Sequence, residues 1–384
     1  MVAGRRSRRV ALVPSSYHPH FGGVEEHTRR VAEVLRRRGD MVEVWTVDRG
    51  DGPRTCNVDG VQVRYLPTPL PARRAGNVAR FAVAFPGALR SWIGAAVGFR
   101  PDVIHIHCFG PNGPYAMAVS KLFRAPLVLT GHGETFADAG DIFGRSALMR
   151  RALRRGLRIS AAVTACSEVA AEDLRARFGA TDDVVVVPNG VDVDAVQVSS
   201  AELSQMRDRV VLAAGRLVNV KGFDLLIHAF ADVAGHPRLM LVGDGPERVA
   251  LESLVRRLGI ADRVDFRGRV GAKEVRWLMG AADVVVVPSR KEAFGIVVLE
   301  AWASGTPLIA TSRGGPADIV TDNVDGLIVD PEDGPALSSA IQRVLDEPRL
   351  GERLSAAGRE TVRAYTWEVV ADGYERIYER VARP

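Results

Sequence analysis

The sequence predicts an α/β protein made of two doubly wound parallel sheets in tandem. Short β-branched runs alternate with amphipathic helical stretches through the first half of the chain. After Pro188-Asn189-Gly190 a polar, strand-poor stretch interrupts this alternation, which then restarts near Val210. With 384 residues the chain is long enough for two cores of roughly 190 residues each.

In the first half, strands are expected over 9–13, 41–47, 103–107, 127–130, 161–165 and 184–187, with helices over 24–38, 77–97 and 168–177. Each strand is a short apolar or β-branched run, and each helix places apolar residues at three- and four-residue spacing. In the second half, strands are expected over 210–214, 239–242, 264–266, 284–287 and 307–310. Helices begin near Gly222, Pro246, Lys273 and Phe294. The run from Ala281 to Pro288 is apolar almost throughout, as a strand covered on both faces should be. Helices over 335–345, 349–365 and 367–381 close the chain. The expected division is a first domain over 1–188, a linker over 189–206, a second domain over 207–366, and a terminal helix over 367–384.

Composition sets the broad class. With 47% hydrophobic and 25% charged residues the chain is an ordinary globular protein rather than a disordered one. Cys56, Cys108 and Cys166 are odd in number and lack metal-ligand spacing, which argues for a reduced compartment, the cytoplasm, and against a disulfide framework or zinc site. The apolar segment after Arg5-Arg6-Ser7-Arg8-Arg9 is too short for a signal peptide. The longest apolar tract, 81–99, is interrupted by Pro86 and Arg90, so no transmembrane helix is expected. Charge is uneven: residues 1–200 carry a net +8 and the remainder −3. Only Lys121, Lys221, Lys273 and Lys291 are lysines.

Several motifs sit at expected strand ends, where open α/β sheets bind ligands. After the strand over 284–287 comes Ser289-Arg290-Lys291-Glu292-Ala293-Phe294-Gly295 and then a helix carrying Glu300. The first turn of that helix offers unpaired N–H groups and the positive end of its dipole, so the backbone from Ala293 through Phe294 and Gly295 to Ile296 is suited to a diphosphate. After the strand over 210–214, Gly215-Arg216-Leu217 and Lys221-Gly222 form a cationic clamp. Gly22-Gly23 lies at the first strand-to-helix turn, where glycine lets backbone approach a phosphate. His105 and His107 share a strand face, and His132 follows the next strand in Thr130-Gly131-His132-Gly133. No carboxylate at fixed spacing joins these histidines, so no metal centre is expected. Val242-Gly243-Asp244-Gly245-Pro246 has Arg248 in the third glycine position and does not fit a nicotinamide fingerprint. Asp192-Val193-Asp194 falls in the linker and reads as structural.

The Glu292-x7-Glu300 pair, the Gly215-Arg216-x4-Lys221-Gly222 element, the Gly22-Gly23 loop and His132 occur in an order that resembles the retaining glycosyltransferases with the GT-B fold, family GT4, over nearly the whole chain. The resemblance implies two Rossmann-like domains facing a central cleft, with the last helix crossing back to the first domain. It implies a nucleotide-diphosphate-sugar donor, a hydroxyl acceptor, retention of configuration and no metal or other cofactor. Arg216 and Lys221 would hold the donor diphosphate, Glu292 and His132 would meet the sugar, and Glu300 would bind the ribose. Gly22 and Gly23 would face the donor phosphate, and Gly243 and Gly245 would lie near the nucleotide. The first domain would be the acceptor side and the second the nucleotide-sugar side. No nucleic-acid partner is expected.

Rival readings are a carboxylate-pair hydrolase, an epimerase acting on the nucleotide sugar alone, and a non-catalytic sugar-nucleotide binder. Eight residues of helix would separate Glu292 from Glu300 by about 12 Å, beyond the roughly 5–9.5 Å of glycosidases. Arginines mixed with apolar residues over 73–99 and 145–158 suit peripheral contact with anionic membrane and a lipid-linked acceptor in cell-envelope glycan or glycolipid synthesis.

Overall fold

The computed structural model describes residues 7–20, 22–71, 75–137, 141–193 and 209–382. Most of the expected linker, 194–206, lies outside these residues, as do Arg73, Arg74 and Asp194. The chain forms two compact units, one ending at Pro188 and resuming at Trp367, the other Asn189–Thr366.

The first unit is an eight-stranded sheet of β1 (Arg9–Pro14), β2 (Met41–Val47), β3 (Arg54–Val58), β4 (Val61–Leu66), β5 (Val103–His107), β6 (Leu127–Gly131), β7 (Ala162–Ala165) and β8 (Val185–Val186). Their order is β3-β4-β2-β1-β5-β6-β7-β8, and every pairing is parallel except β3 with β4. β5, β6 and β7 are buried at every position, which explains their apolar character on both faces. Winding reverses between β1 and β5, so the loops after these strands diverge and leave room for a ligand. The β3–β4 hairpin is absent from the sequence expectation, although Asp59-Gly60 at its turn is a two-residue hairpin signal. The helix Asn112–Phe123 is also absent from it; Gly113 and Pro114 mask its periodicity.

The helix Ala75–Phe99 runs through Pro86 without interruption. Residues 82–87 are exposed, so water can solvate the carbonyl that Pro86 leaves without an N–H partner. The segment Ala79–Phe99 is long and apolar enough to cross a membrane, with 22% of its most apolar window buried. Its second half is already committed to the sheet. Trp92 is fully buried, stacks on Tyr115 and donates its indole N–H to the Pro67 carbonyl at 3.0 Å.

The helix Trp367–Val381 supplies Trp367, Val370, Tyr374, Ile377 and Tyr378 to the core of the first unit, beside Val10, Leu12, Val31 and Val128. Polar clasps fix it. Arg8 pairs with buried Asp40 at 2.9 Å and donates to the Glu375 carbonyl, and Arg38 meets Asp372 at 2.6 Å and Glu375 at 2.9 Å.

The second unit is a six-stranded parallel sheet of β9 (Val210–Ala214), β10 (Arg238–Val242), β11 (Val264–Gly268), β12 (Val284–Val287), β13 (Leu308–Thr311) and β14 (Leu327–Val329). The order is β11-β10-β9-β12-β13-β14, so the switch point lies between β9 and β12. The sequence expectation lacks β14, a three-residue edge strand too short for a period to register. Leu226, Ile227, Phe230, Leu239, Leu241, Val284, Val286 and Ile341 form the centre of its core.

Candidate functional site

In the second unit, the two loops that flank the switch point meet. The loop after β9 passes through a 3-10 turn, Asn219–Lys221, before the helix Phe223–Ala231. The loop after β12 receives it: the Arg290 N–H donates to the Val220 carbonyl at 2.9 Å. Lys221 Nζ then lies 2.5 Å from Glu292 Oε2, which also accepts from the Ser289 hydroxyl at 2.9 Å. Glu292 is 9% exposed. Close backbone approach makes this possible. Gly222 has φ +65°, and a Cβ there would stand 2.1 Å from the Pro288 carbonyl oxygen.

A third loop holds Glu292 from the other side. Glu292 N–H donates to the Arg313 carbonyl at 3.1 Å, and the Gly315 N–H donates to the Glu292 carbonyl at 2.9 Å. Gly314 has φ +118°, and a Cβ there would meet the Glu292 carbonyl at 2.0 Å. Gly314 is a site determinant that the motif reading passes over, and Ser289 stands in the motif after β12 without a role assigned to it. Gly314-Gly315-Pro316 after a strand was the available signal.

The helix Ile296–Ser304 opens behind Glu292 with Gly295 as its N-cap and no side-chain cap. Among the described residues no acceptor takes the Phe294 or Gly295 N–H. These amides, with those of the first helical turn, form an electropositive end. Ala293 and Phe294 are buried beside it, Ile296 begins the helix, and Glu300 is half-buried in the second turn. Glu292 lies in the loop rather than on the helix, so the 12 Å helical spacing does not describe the pair.

Arg216 is exposed on the loop after β9, and among the described residues its guanidinium makes no ion pair. The loop after β10 packs against the same segment. A Cβ on Gly243 would lie 1.9 Å from the Gly215 carbonyl oxygen, and one on Gly245 would lie 2.3 Å from that of Leu217. These glycines therefore serve loop-to-loop contact. Asp192 meets Arg276 at 3.3 Å, which agrees with its structural reading.

In the first unit, Gly22 caps the helix Gly23–Arg37 in extended conformation, and both glycines are exposed. The Glu25 carboxylate curls back to Gly22, 2.6 Å from where a Cβ would stand. The Glu25 side chain therefore covers the turn at Gly22.

His105, His107 and His132 gather with His27 of that helix. His105 Nε2 bonds the Thr130 hydroxyl and Nδ1 the Tyr378 hydroxyl, both at 2.6 Å. His107 Nδ1 lies 3.2 Å from His132 Nε2, and His27 Nε2 lies 2.9 Å from the Tyr374 hydroxyl. The sequence hint for His27 was an imidazole on the buried face of an amphipathic helix. Glu134 binds the two loops together: its carboxylate oxygens accept the Phe109 and His132 N–H groups, each at 2.7 Å. Burial pushes the Glu134 carboxyl upward, against these backbone bonds.

Burial, reinforced by neighbouring imidazoles, holds His105, His107 and His132 well below the ordinary histidine range. The unfolded chain titrates near 6.5, so below that pH it binds more protons than the folded one. Stability is therefore expected to fall as pH drops from about 7 toward 5, by up to about 1.4 kcal/mol per pH unit for each histidine kept neutral. Urea midpoints measured across this range check it; a flat profile would show that the histidines charge without cost.

Two family models match the chain: "Glycosyl transferase 4-like domain" over residues 22–190 and "Glycosyl transferases group 1" over 197–361. The chain is 31% identical to a phosphatidyl-myo-inositol mannosyltransferase of Mycobacterium leprae over 94% of both proteins. It is 28% identical to a D-inositol 3-phosphate glycosyltransferase of Xylanimonas cellulosilytica, over 99% of this chain and 98% of the other. Among solved structures, a sucrose-phosphate synthase from Thermosynechococcus elongatus superposes with a TM-score of 0.83 at 26% identity, covering 97% of this chain and 98% of that one. These matches agree with the GT-B expectation for the two parallel-sheet units.

Proposed function

Because the chain belongs to the group 1 glycosyl transferases, we propose that it moves a hexosyl group from a nucleoside-diphosphate sugar to a hydroxyl acceptor, retaining the anomeric configuration without a metal ion. The observation that carries this reading is the Lys221–Glu292 pair at the β9/β12 switch point, beside the open N-terminus of the helix Ile296–Ser304. In the reaction, the bond from the anomeric carbon to the diphosphate breaks and negative charge grows on the leaving phosphate. Lys221, exposed Arg216 and the helix N-terminus supply fixed positive potential for that charge. The acceptor hydroxyl attacks from the same face and passes its proton to a donor phosphate oxygen, so no protein nucleophile is needed.

We assign the sugar contacts to Glu292 and His132, the ribose contact to Glu300, and nucleotide contacts to the Gly243–Gly245 loop. Gly22 and Gly23 take a donor phosphate. The second unit is then the donor-binding part and the first the acceptor side. Incubation with a panel of nucleotide sugars tests the reading. Nucleoside diphosphate should be released with EDTA present, and the product should show the donor's anomeric configuration by NMR. Loss of activity with chelator, or an inverted product, would refute it.

The acceptor we propose is lipid-linked, reached from the cytoplasmic face of an anionic membrane. The supporting observation is the outer half of the helix Ala75–Phe99, where Val83 is 84% exposed and Phe85 37%, flanked by exposed Arg80 and Arg90. The arginine-rich helix Ala147–Ile159 contributes differently from its sequence reading. Of the apolar residues among its arginines, Met149, Leu153 and Leu157 are buried in the first unit while Leu148 is 45% exposed, so the outward face carries Arg151, Arg154, Arg155 and Arg158 with Leu148 and Ile159. Co-sedimentation with vesicles should require anionic lipid and weaken with salt. Val83→Asp should reduce it more than Arg151→Gln does; absence of binding at low salt would favour a soluble acceptor.

A further inference from the structure

Three imidazoles from separate elements converge in the first unit: His27 from the helix Gly23–Arg37, His107 from β5, and His132 from the loop after β6. One ligand nitrogen from each lies within 4.8 Å of the others. The ring centroids are 5.3 Å apart for His27–His107, 4.8 Å for His27–His132 and 5.5 Å for His107–His132. A tetrahedral cation about 2.0–2.1 Å from each imidazole nitrogen would set ligand nitrogens roughly 3.3 Å apart and ring centroids roughly 5 Å apart. The His107 Nδ1 to His132 Nε2 distance, 3.2 Å, already matches.

We infer that His27, His107 and His132 form a capture site for a late first-row divalent cation of the Zn²⁺ class, whose binding withdraws His132 from the donor and inhibits transfer. The inhibitory half rests on the role proposed above for His132; the binding half does not. Three imidazoles without a carboxylate suit Zn²⁺, Co²⁺ or Ni²⁺ and disfavour Mg²⁺ and Ca²⁺, which take oxygen ligands. The bond from Tyr374 to His27 Nε2 orients that ring in the way outer hydrogen bonds orient metal-binding histidines. His107 is fully buried, and with its Nδ1 facing His132 its Nε2 has no hydrogen-bond partner among the described residues, so no neighbouring acceptor fixes the tautomer of that ring.

Titration of chelator-treated, dialysed full-length protein with Co²⁺ tests the site. One Co²⁺ per chain should bind with the visible absorption of a low-coordinate centre, and Zn²⁺ should displace it. His27→Gln keeps a side chain able to bond Tyr374, and His132→Gln changes a half-buried residue; each should weaken Co²⁺ binding at least tenfold with cooperative thermal unfolding preserved. Zn²⁺ should inhibit the wild type reversibly, while His27→Gln stays active and loses that sensitivity. A spectrum of hexa-aquo Co²⁺ alone, or undiminished binding in both variants, would overturn the proposal. Co²⁺ binding as expected with no turnover of any nucleotide sugar would instead count against the catalytic reading and leave the metal site standing.

Discussion

Lys221→Ala is expected to lower turnover roughly ten- to a hundredfold. A charge-assisted contact to the leaving diphosphate contributes about 1.5–3 kcal/mol, and 1.4 kcal/mol is a factor of ten in rate. The substitution has a second consequence, because Glu292 Oε2 accepts from both Lys221 and Ser289 and the residue is almost fully buried. Without the ammonium the carboxylate keeps only the Ser289 hydroxyl on that oxygen. Some stability is therefore lost together with rate. The double variant Lys221→Ala/Glu292→Gln separates the two effects: it should regain stability, since a neutral amide is cheaper to bury than an unpaired charge, and it should not regain turnover. Recovery of both would show that Lys221 acts only as a counter-ion and would remove Glu292 from the reaction as well.

The two acidic residues should also part company. Glu292→Gln is expected to depress turnover with little effect on binding of the bare nucleoside diphosphate, while Glu300→Gln weakens that binding. Calorimetry with the diphosphate distinguishes them, and equal losses would remove the sugar and ribose assignments.

Tyr374→Ala should destabilise the first unit by about 3–5 kcal/mol, the usual cost of deleting a large buried aromatic side chain. Tyr374 is fully buried, stands edge-on to His105 and His107, stacks on Tyr378 and bonds His27 at 2.9 Å. Tyr374→Phe keeps the ring and loses only the hydroxyl bond, at about 1 kcal/mol. Urea unfolding of both variants, followed by tryptophan fluorescence, checks the pair. A cost near 1 kcal/mol for the alanine variant would mean that the helix Trp367–Val381 merely lies on the unit instead of completing its core.

Much of the fold was legible because a parallel strand covered on both faces leaves a local trace. The runs that became β2, β5, β9 and β12 could be bounded from apolar, β-branched composition alone, and Pro188-Asn189-Gly190 marked the break in alternation. What escaped was mostly short or exposed: β3, which has no buried residue, and β14, with three residues, whereas β4 buries Val61, Val63, Tyr65 and Leu66 and does carry an alternating apolar trace. The helix Ala147–Ile159 shows a different limit. Its apolar periodicity announces that one face is covered, and periodicity is the same whether a sheet or a lipid surface covers it.

The sequence by itself determined which chemistry each strand end carries: a Lys and an Arg after one strand, glycines and a Glu after another, imidazoles after two more. These are properties of neighbouring residues, and they survive without knowledge of the fold. Only the tertiary structure decided which of them meet. Lys221 and Glu292 are 71 positions apart and touch because β12 lies beside β9, whereas Glu25 covers the turn at Gly22 because a flexible side chain can fold back on its own helix end. His27 and Tyr374, 347 positions apart, meet because the last helix packs on the first sheet. Pairing between remote residues depends on strand order and helix placement, which the whole core fixes cooperatively and no local pattern encodes.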